Sequence, residues 1–100
     1  MLKHIVFWKL RADITGQARN EKLVEIKRGF EAMQGKIPGL QKIEIGITFS
    51  QGDDSADICL YSEFESREAL EGYATHPLHQ DMVAIVREVR TERRVADYEM

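Results

Sequence analysis

Residues 2–10 read Leu2-Lys3-His4-Ile5-Val6-Phe7-Trp8-Lys9-Leu10. Val, Ile, Phe and Trp favour extended backbone, so the stretch is read as a strand. Alternation puts Leu2, His4, Val6, Trp8 and Leu10 on one face, and Lys3, Ile5, Phe7 and Lys9 on the other. Large apolar groups stand on both faces at mid-strand. Such a strand belongs near the centre of a sheet that is covered on both sides.

Outward from this strand, Asp13 or Thr15 can start a helix. Leu23, Ile26, Phe30, Met33 and Ile37 give it an apolar stripe, and Pro38-Gly39 ends it. From Gln41 to Phe49 apolar residues alternate strictly. Ile43, Ile45, Ile47 and Phe49 predict a strand with one dry face. A polar loop, Ser50 to Ser55, leads to a further strand over Ala56–Phe64, so the two form a hairpin. Ile58, Leu60 and Phe64 share one of its faces, with Cys59 and Tyr61 opposite.

Ser66 suits a helix N-cap, and Glu68 in the first turn suits the helix dipole. That helix carries Leu70 and Tyr73. Pro77 disfavours helical geometry at His76, so the helix stops near Thr75. Proline also fits the first position of a new helix, whose apolar residues are Leu78, Met82, Ile85, Val86 and Val89. Thr91 to Glu99 predicts a last strand with Val95, Ala96 and Tyr98 as its packing residues.

The resulting order, β-α-β-β-α-β, is a ferredoxin-like α+β arrangement. It forms an antiparallel four-stranded sheet with the helices on one face. Residues 1–100 make one domain. The helices leave Ile5, Phe7, Cys59 and Tyr61 on the uncovered face, an apolar surface too large to stay wet. A second copy laying its sheet against the first would cover it, so a two-fold homodimer is expected.

Composition narrows the functional classes. Hydrophobic residues make up 43% of the chain, enough for one core. Net charge is −3, with no general attraction for nucleic acid or anionic membrane. No apolar run could span a bilayer or serve as a signal peptide, so a cytoplasmic protein is expected. The single cysteine, Cys59, allows no internal disulfide and reads as a packed, inert thiol. Arg87, Arg90, Arg93 and Arg94 interleave with Glu88, Glu92 and Asp97, which reads as a solvated, salt-bridged surface. Neither a metal site nor a cofactor is expected. Pro77 interrupts the His76-x-x-His79 spacing, and phosphate-loop and serine-nucleophile motifs are absent.

The break at Pro77 is the main chemical feature. On one straight helix, residues six apart differ by about 600°, well round the barrel from each other. A break can bring Tyr73 and His79 to one concavity. Near the start of a helix, His79 is favoured as neutral imidazole and so as a proton acceptor. Tyr73 could donate a hydrogen bond to a developing enolate. The plainer alternative is a capping and packing pair that pins the break. His76 reads as a cap of the second helix, and His4 as a core histidine unless it points at Tyr73 or His79.

Several segments resemble the stress-responsive A/B barrel domain family, a group of dimeric α+β barrels. They are HIVFWKL at 4–10, IPGL at 37–40, IEIGI at 43–47, LYSEFESREALEGYATHPLH at 60–79 and VADYE at 95–99. The resemblance implies a small cytoplasmic homodimer whose two sheets close into a barrel. The family includes the plant olivetolic acid cyclase, which shares the Y-x-x-H-P-x-H block. That enzyme performs an aldol condensation on a linear polyketide thioester without metal or organic cofactor. By that resemblance its Tyr–His pair falls on Tyr73 and His79, its pocket histidine on His4, and an aspartate on Asp97. Arg90, Arg93 and the bulky Trp8 depart from its apolar pocket and imply a smaller, more polar one.

Three functions follow as expectations. The first is a stress-associated or binding module holding a small organic molecule between helices and sheet. Its wall would be His4, Val6, Trp8, Ile26, Phe30 and Leu60 from one side. Tyr73, His76, His79, Met82 and Ile85 would supply the other. The second is a cofactor-independent cyclase or isomerase with His79 as base, Tyr73 as enolate stabiliser and Asp97 as orienting group. The third is a dimerisation unit with a filled core.

Overall fold

A computed structural model describes residues 1–100. Four strands form one antiparallel sheet: β1 (Leu2–Leu10), β2 (Leu40–Ile47), β3 (Ile58–Phe64) and β4 (Arg90–Glu99). Their order across the sheet is β2-β3-β1-β4, which puts the two-faced strand β1 in the interior. Helices α1 (Gly16–Glu31), α2 (Arg67–Thr75) and α3 (Pro77–Val89) complete the βαββαβ plan, its second helix broken in two at Pro77. No helix is long and apolar enough to cross a membrane.

The helices supply the core from one side of the sheet. Leu23, Ile26 and Phe30 of α1 are buried, as are Met82, Val86 and Val89 of α3. They meet Leu2, Val6, Trp8, Ile58, Leu60 and Phe64 from the strands. Fully burying a side chain such as Phe30 contributes roughly 1.5–3 kcal/mol. In register, Val6 stands between Leu60 and Val95, and His4 stands between Ser62 and Asp97. Ser62 is fully buried and its hydroxyl donates to the His4 carbonyl at 2.8 Å, so this polar row costs no unpaired group there.

Two boundaries and the packing of one strand differ from the sequence reading. Met33 and Ile37 are buried but not helical. The helix stops at Glu31, and tight turns carry the chain through Gly35 at φ +82°, a conformation that favours glycine. β2 ends at Ile47, which is 46% exposed, and Phe49 beyond it is 98% exposed. The alternation there outruns the helices that could cover it. Val95 and Tyr98 of β4 are 46% and 44% exposed, and Ala96 is exposed as well. Val95 faces the helix side of an edge strand that lies beyond the helix layer. Ala96 and Tyr98 stand opposite Ile5 and Lys3 on the outer face, which no helix covers, so none of the three packs within the subunit.

On the far side of the sheet, Ile5, Cys59 and Tyr61 are half-buried by their neighbours and Phe7 is 40% exposed. Burial, followed by the Glu44 carboxylate, pushes the Cys59 thiol up from its ordinary pKa. An inert thiol results.

Candidate functional site

The break between α2 and α3 is built by local chemistry. Ser66 caps α2, its hydroxyl accepting from the Ala69 N–H at 3.1 Å. Tyr73 is the one fully buried side chain of α2. His76 is extended at ψ 138°, as a residue before proline should be, and Pro77 takes the first turn of α3. The His76 imidazole caps α3, Nδ1 accepting from the Leu78 N–H at 3.1 Å.

His79 then folds back over the end of α2. Its Nδ1 lies 3.0 Å from the Ala74 carbonyl, and the Gln80 amide donates to the same oxygen at 2.6 Å. A helix-end carbonyl that lacks an intrahelical partner is thereby satisfied twice. A carbonyl can only accept, so Nδ1 carries the proton and Nε2 of the neutral ring is an acceptor. The His79 ring packs against Tyr73 with centroids 4.2 Å apart. Phe64 and His4 lie on other sides of the phenol, at 5.0 and 6.0 Å.

Electrostatics divide these groups into donor and acceptor. Burial raises the Tyr73 pKa well above the ordinary phenol range, against a smaller opposing effect of the Arg93 charge. Tyr73 therefore stays protonated. Its hydroxyl is buried and has no hydrogen-bond partner. Burial also lowers the His79 pKa, with His4 and Arg93 adding to the effect and the Ala74 carbonyl opposing it. The sequence reading placed this lowering in the helix dipole; the larger cause is desolvation.

Tyr73 and His79 line a cavity of about 320 Å³. Of the predicted wall, His4, Val6, Trp8, Phe30 and Leu60 are there too. Trp8 does not plug it: the indole packs on Phe30 at 5.5 Å and forms a side. Four predicted residues lie elsewhere. Ile26 and Met82 are in the core, and Ile85 is half-buried against it. His76 faces a separate depression with Pro38 and Gly39, because its ring is committed to the cap. Asp97 meets His4 rather than the Tyr73–His79 pair. Its carboxylate bonds His4 Nδ1, a pairing dictated by the β1–β4 register. That bond fixes which His4 nitrogen is protonated and leaves Nε2 without a protein partner.

The sequence reading missed Gln80, Val83, Val86 and Arg87, which complete the wall with Arg90 and Arg93, the two arginines that the resemblance set at the pocket. A signal was available. His79, Val83, Val86, Arg87 and Arg90 follow a helical repeat on one face. The arginines are also not the salt-bridged run expected. Arg94 pairs with Glu92 at 3.8 Å, whereas Arg87, Arg90 and Arg93 have no carboxylate within ion-pair distance.

A family profile described as Stress responsive A/B Barrel Domain matches residues 2–100. An uncharacterized protein of Streptomyces coelicolor is 33% identical over 99% of this chain and 99% of its own length. A dimeric protein of unknown function and ferredoxin-like fold from Bacteroides fragilis superposes with a TM-score of 0.89. It is 35% identical, over 99% of this chain and 95% of that one. A Dabb family protein from Mesorhizobium loti, also ferredoxin-like, has a TM-score of 0.72 at 24% identity, covering 99% of this chain and 95% of its own.

Proposed function

The chain belongs to the stress responsive A/B barrel family, and we propose that within it this protein is a homodimeric module that binds a small organic molecule against Tyr73 and His79. One observation carries the reading. A buried phenol hydroxyl has no partner, and the residue that carries it lines a cavity. Leaving such a group unsatisfied costs roughly 1–3 kcal/mol, which an acceptor on a ligand would relieve. The hydroxyl is screened from water, so a ligand meets it only after a neighbouring side chain moves. Tyr73→Phe is the test. Without ligand it should be as stable as the parent or up to about 1 kcal/mol more stable in urea denaturation. In NMR titrations with small phenols, carboxylic acids and 1,3-dicarbonyls, it should lose affinity. A variant that is destabilised and binds as before would overturn the reading.

The subunit would pair through its outer sheet face, with Ile5, Phe7, Cys59 and Tyr61 at the centre. The dimeric description of the Bacteroides fragilis structure, at 35% identity, supports this. So does the patch itself, where Lys3 and Lys42 sit 5.6 Å from the Tyr61 ring and give an apolar centre a charged edge. A reducing, cytoplasmic setting fits its single thiol.

A second reading is cofactor-independent proton transfer of the cyclase or isomerase type, and the His79 tautomer favours it. With Nδ1–H held by Ala74, Nε2 would take a proton from an acidic carbon while Tyr73 donates to the enolate oxygen. Asp97 would act through His4 as a positioning residue. Catalysed deuterium exchange at the central carbon of acetylacetone tests this. The expected exchange falls to the buffer rate in His79→Gln; equal rates in parent and variant sink the reading.

A further inference from the structure

The cavity wall holds no carboxylate. Its thirteen residues include Arg87, Arg90 and Arg93 but neither Asp nor Glu. This is unexpected in a chain with 17 acidic residues and a net charge of −3. Arg11, Arg19, Arg67 and Arg94 each have a carboxylate within 4 Å, while the three cavity arginines have none. Arg28 on α1 also lacks one, but Arg87, Arg90 and Arg93 are the unpaired arginines that helix and strand bring together around one cavity. Arg87 lies in the last turn of α3, Arg90 caps that helix, and Arg93 stands opposite Trp8 on β4. Complementing the α3 dipole accounts for Arg87 alone. It does not account for Arg93, whose charge is felt by both Tyr73 and His79.

Unpaired guanidiniums present planar pairs of N–H donors that match the oxygens of a carboxylate or phosphate. Trp8, Phe30, Leu60, Val83 and Val86 give the rest of the cavity an apolar lining. A volume of about 320 Å³ lies at the small end of ligand pockets, which begin near roughly 300 Å³. We propose that the ligand is a compact organic anion: an oxyanion head held by Arg87, Arg90 and Arg93, and an apolar, ring-sized body reaching Tyr73 and His79. This rests on the binding function proposed above and adds the ligand's charge and polarity. A long neutral chain suits neither the volume nor the rim.

The test uses the full-length protein and four probes: benzoate, phenyl phosphate, neutral benzyl alcohol and inorganic phosphate. Side-chain NMR resonances of Tyr73 and His79 report occupancy. Benzoate or phenyl phosphate should shift both, and whichever binds more tightly identifies the head group as carboxylate or phosphate. Benzyl alcohol should bind about tenfold more weakly or worse. The Arg90→Gln/Arg93→Gln double variant should lose roughly tenfold or more for the anions and leave benzyl alcohol unchanged. Its amide spectrum reports whether the fold is kept. If it is lost, Arg90→Lys/Arg93→Lys, which keeps charge but not the paired donors, should still weaken the anions selectively. Benzyl alcohol binding as tightly as benzoate overturns the anion proposal and leaves the cavity function standing. Inorganic phosphate competing as well as phenyl phosphate, without moving Tyr73, reduces the arginines to a surface ion site and overturns it too. If no organic probe moves Tyr73 or His79, both readings fall.

Discussion

β3 and β4 are the two antiparallel neighbours of β1, and they live in different environments. β3 alternates fully buried and half-buried residues from Ile58 to Phe64. β4 is exposed along its whole length after Arg90. Both make the same kind of backbone ladder, so hydrogen bonding does not explain the contrast. Cover does: the helices lie over β2, β3 and β1 and stop short of β4. Edge strands resist unwanted pairing by carrying charge, and β4 has Arg90, Glu92, Arg93, Arg94, Asp97 and Glu99. The candidate site sits on the line between these two halves. Tyr73 and Leu60 belong to its dry side, Arg93 to its wet side, and His4 spans them by bonding Asp97.

The largest effect should come from testing that line directly. Leu60 and Val95 both face the helix side of the sheet and flank the same residue, Val6. Leu60→Ala should cost about 2–5 kcal/mol in chemical denaturation, because it opens a hole in a packed core. Val95→Ala should stay within about 0.5 kcal/mol, since the residue is 46% exposed. Comparable losses at both positions would break the comparison. They would mean that a second copy covers the helix side of β4 in solution.

The other face sharpens it. Phe7 lies between Cys59 and Arg94, on the proposed interface, at 40% exposure. Phe7→Glu should convert a dimer to a monomer in size-exclusion chromatography with light scattering, with the monomer still folded. The loss would reflect like charges meeting across a two-fold axis, where every substitution appears twice. A monomeric parent, or a Phe7→Glu dimer unchanged down to micromolar concentration, would remove the outer face from the interface.

The same contrast explains what could be read from the residues alone. The two-faced pattern of Leu2–Leu10 was enough for an interior strand, and Ser66 and Pro77 marked the ends of α2 by stereochemistry that needs no tertiary context. Apolar spacing misled in two situations, where the backbone turned and where cover ran out. Met33 and Ile37 continue the α1 stripe although the backbone has already turned, and Ile47 and Phe49 continue an alternation past the last helix. Val95 and Tyr98 have the composition of packing residues on a strand with nothing over it. Pairing between distant strands was the other gap. His4 meets Asp97 only because of the β1–β4 register, which no local pattern states. In one dimension the arginines interleave with acids. Strand alternation, however, sends Arg93 toward the cavity and Glu92 and Arg94 to the opposite face.

The smallest expected effect lies on the boundary itself. His79 feels the dry side as desolvation and the wet side as the charge of Arg93, and both lower its pKa, desolvation more. An NMR titration should place it below the ordinary 6.5. Arg93→Gln should raise it only part of the way back, because the larger cause remains. Linkage fixes the sign of the accompanying stability change. A depressed pKa means the unfolded chain binds the proton more readily. The contribution of His79 is thus fully present above about 6.5 and is lost as pH falls through its folded pKa. Glu31 and Asp13, also depressed, lose theirs only below their ordinary values of 4.5 and 3.8, so the His79 loss begins first, at higher pH. His79→Gln should remove that first loss and leave the later ones intact. A return to 6.5 or above in Arg93→Gln would reverse the order of causes, placing His79 on the wet side of the line with the β4 arginines.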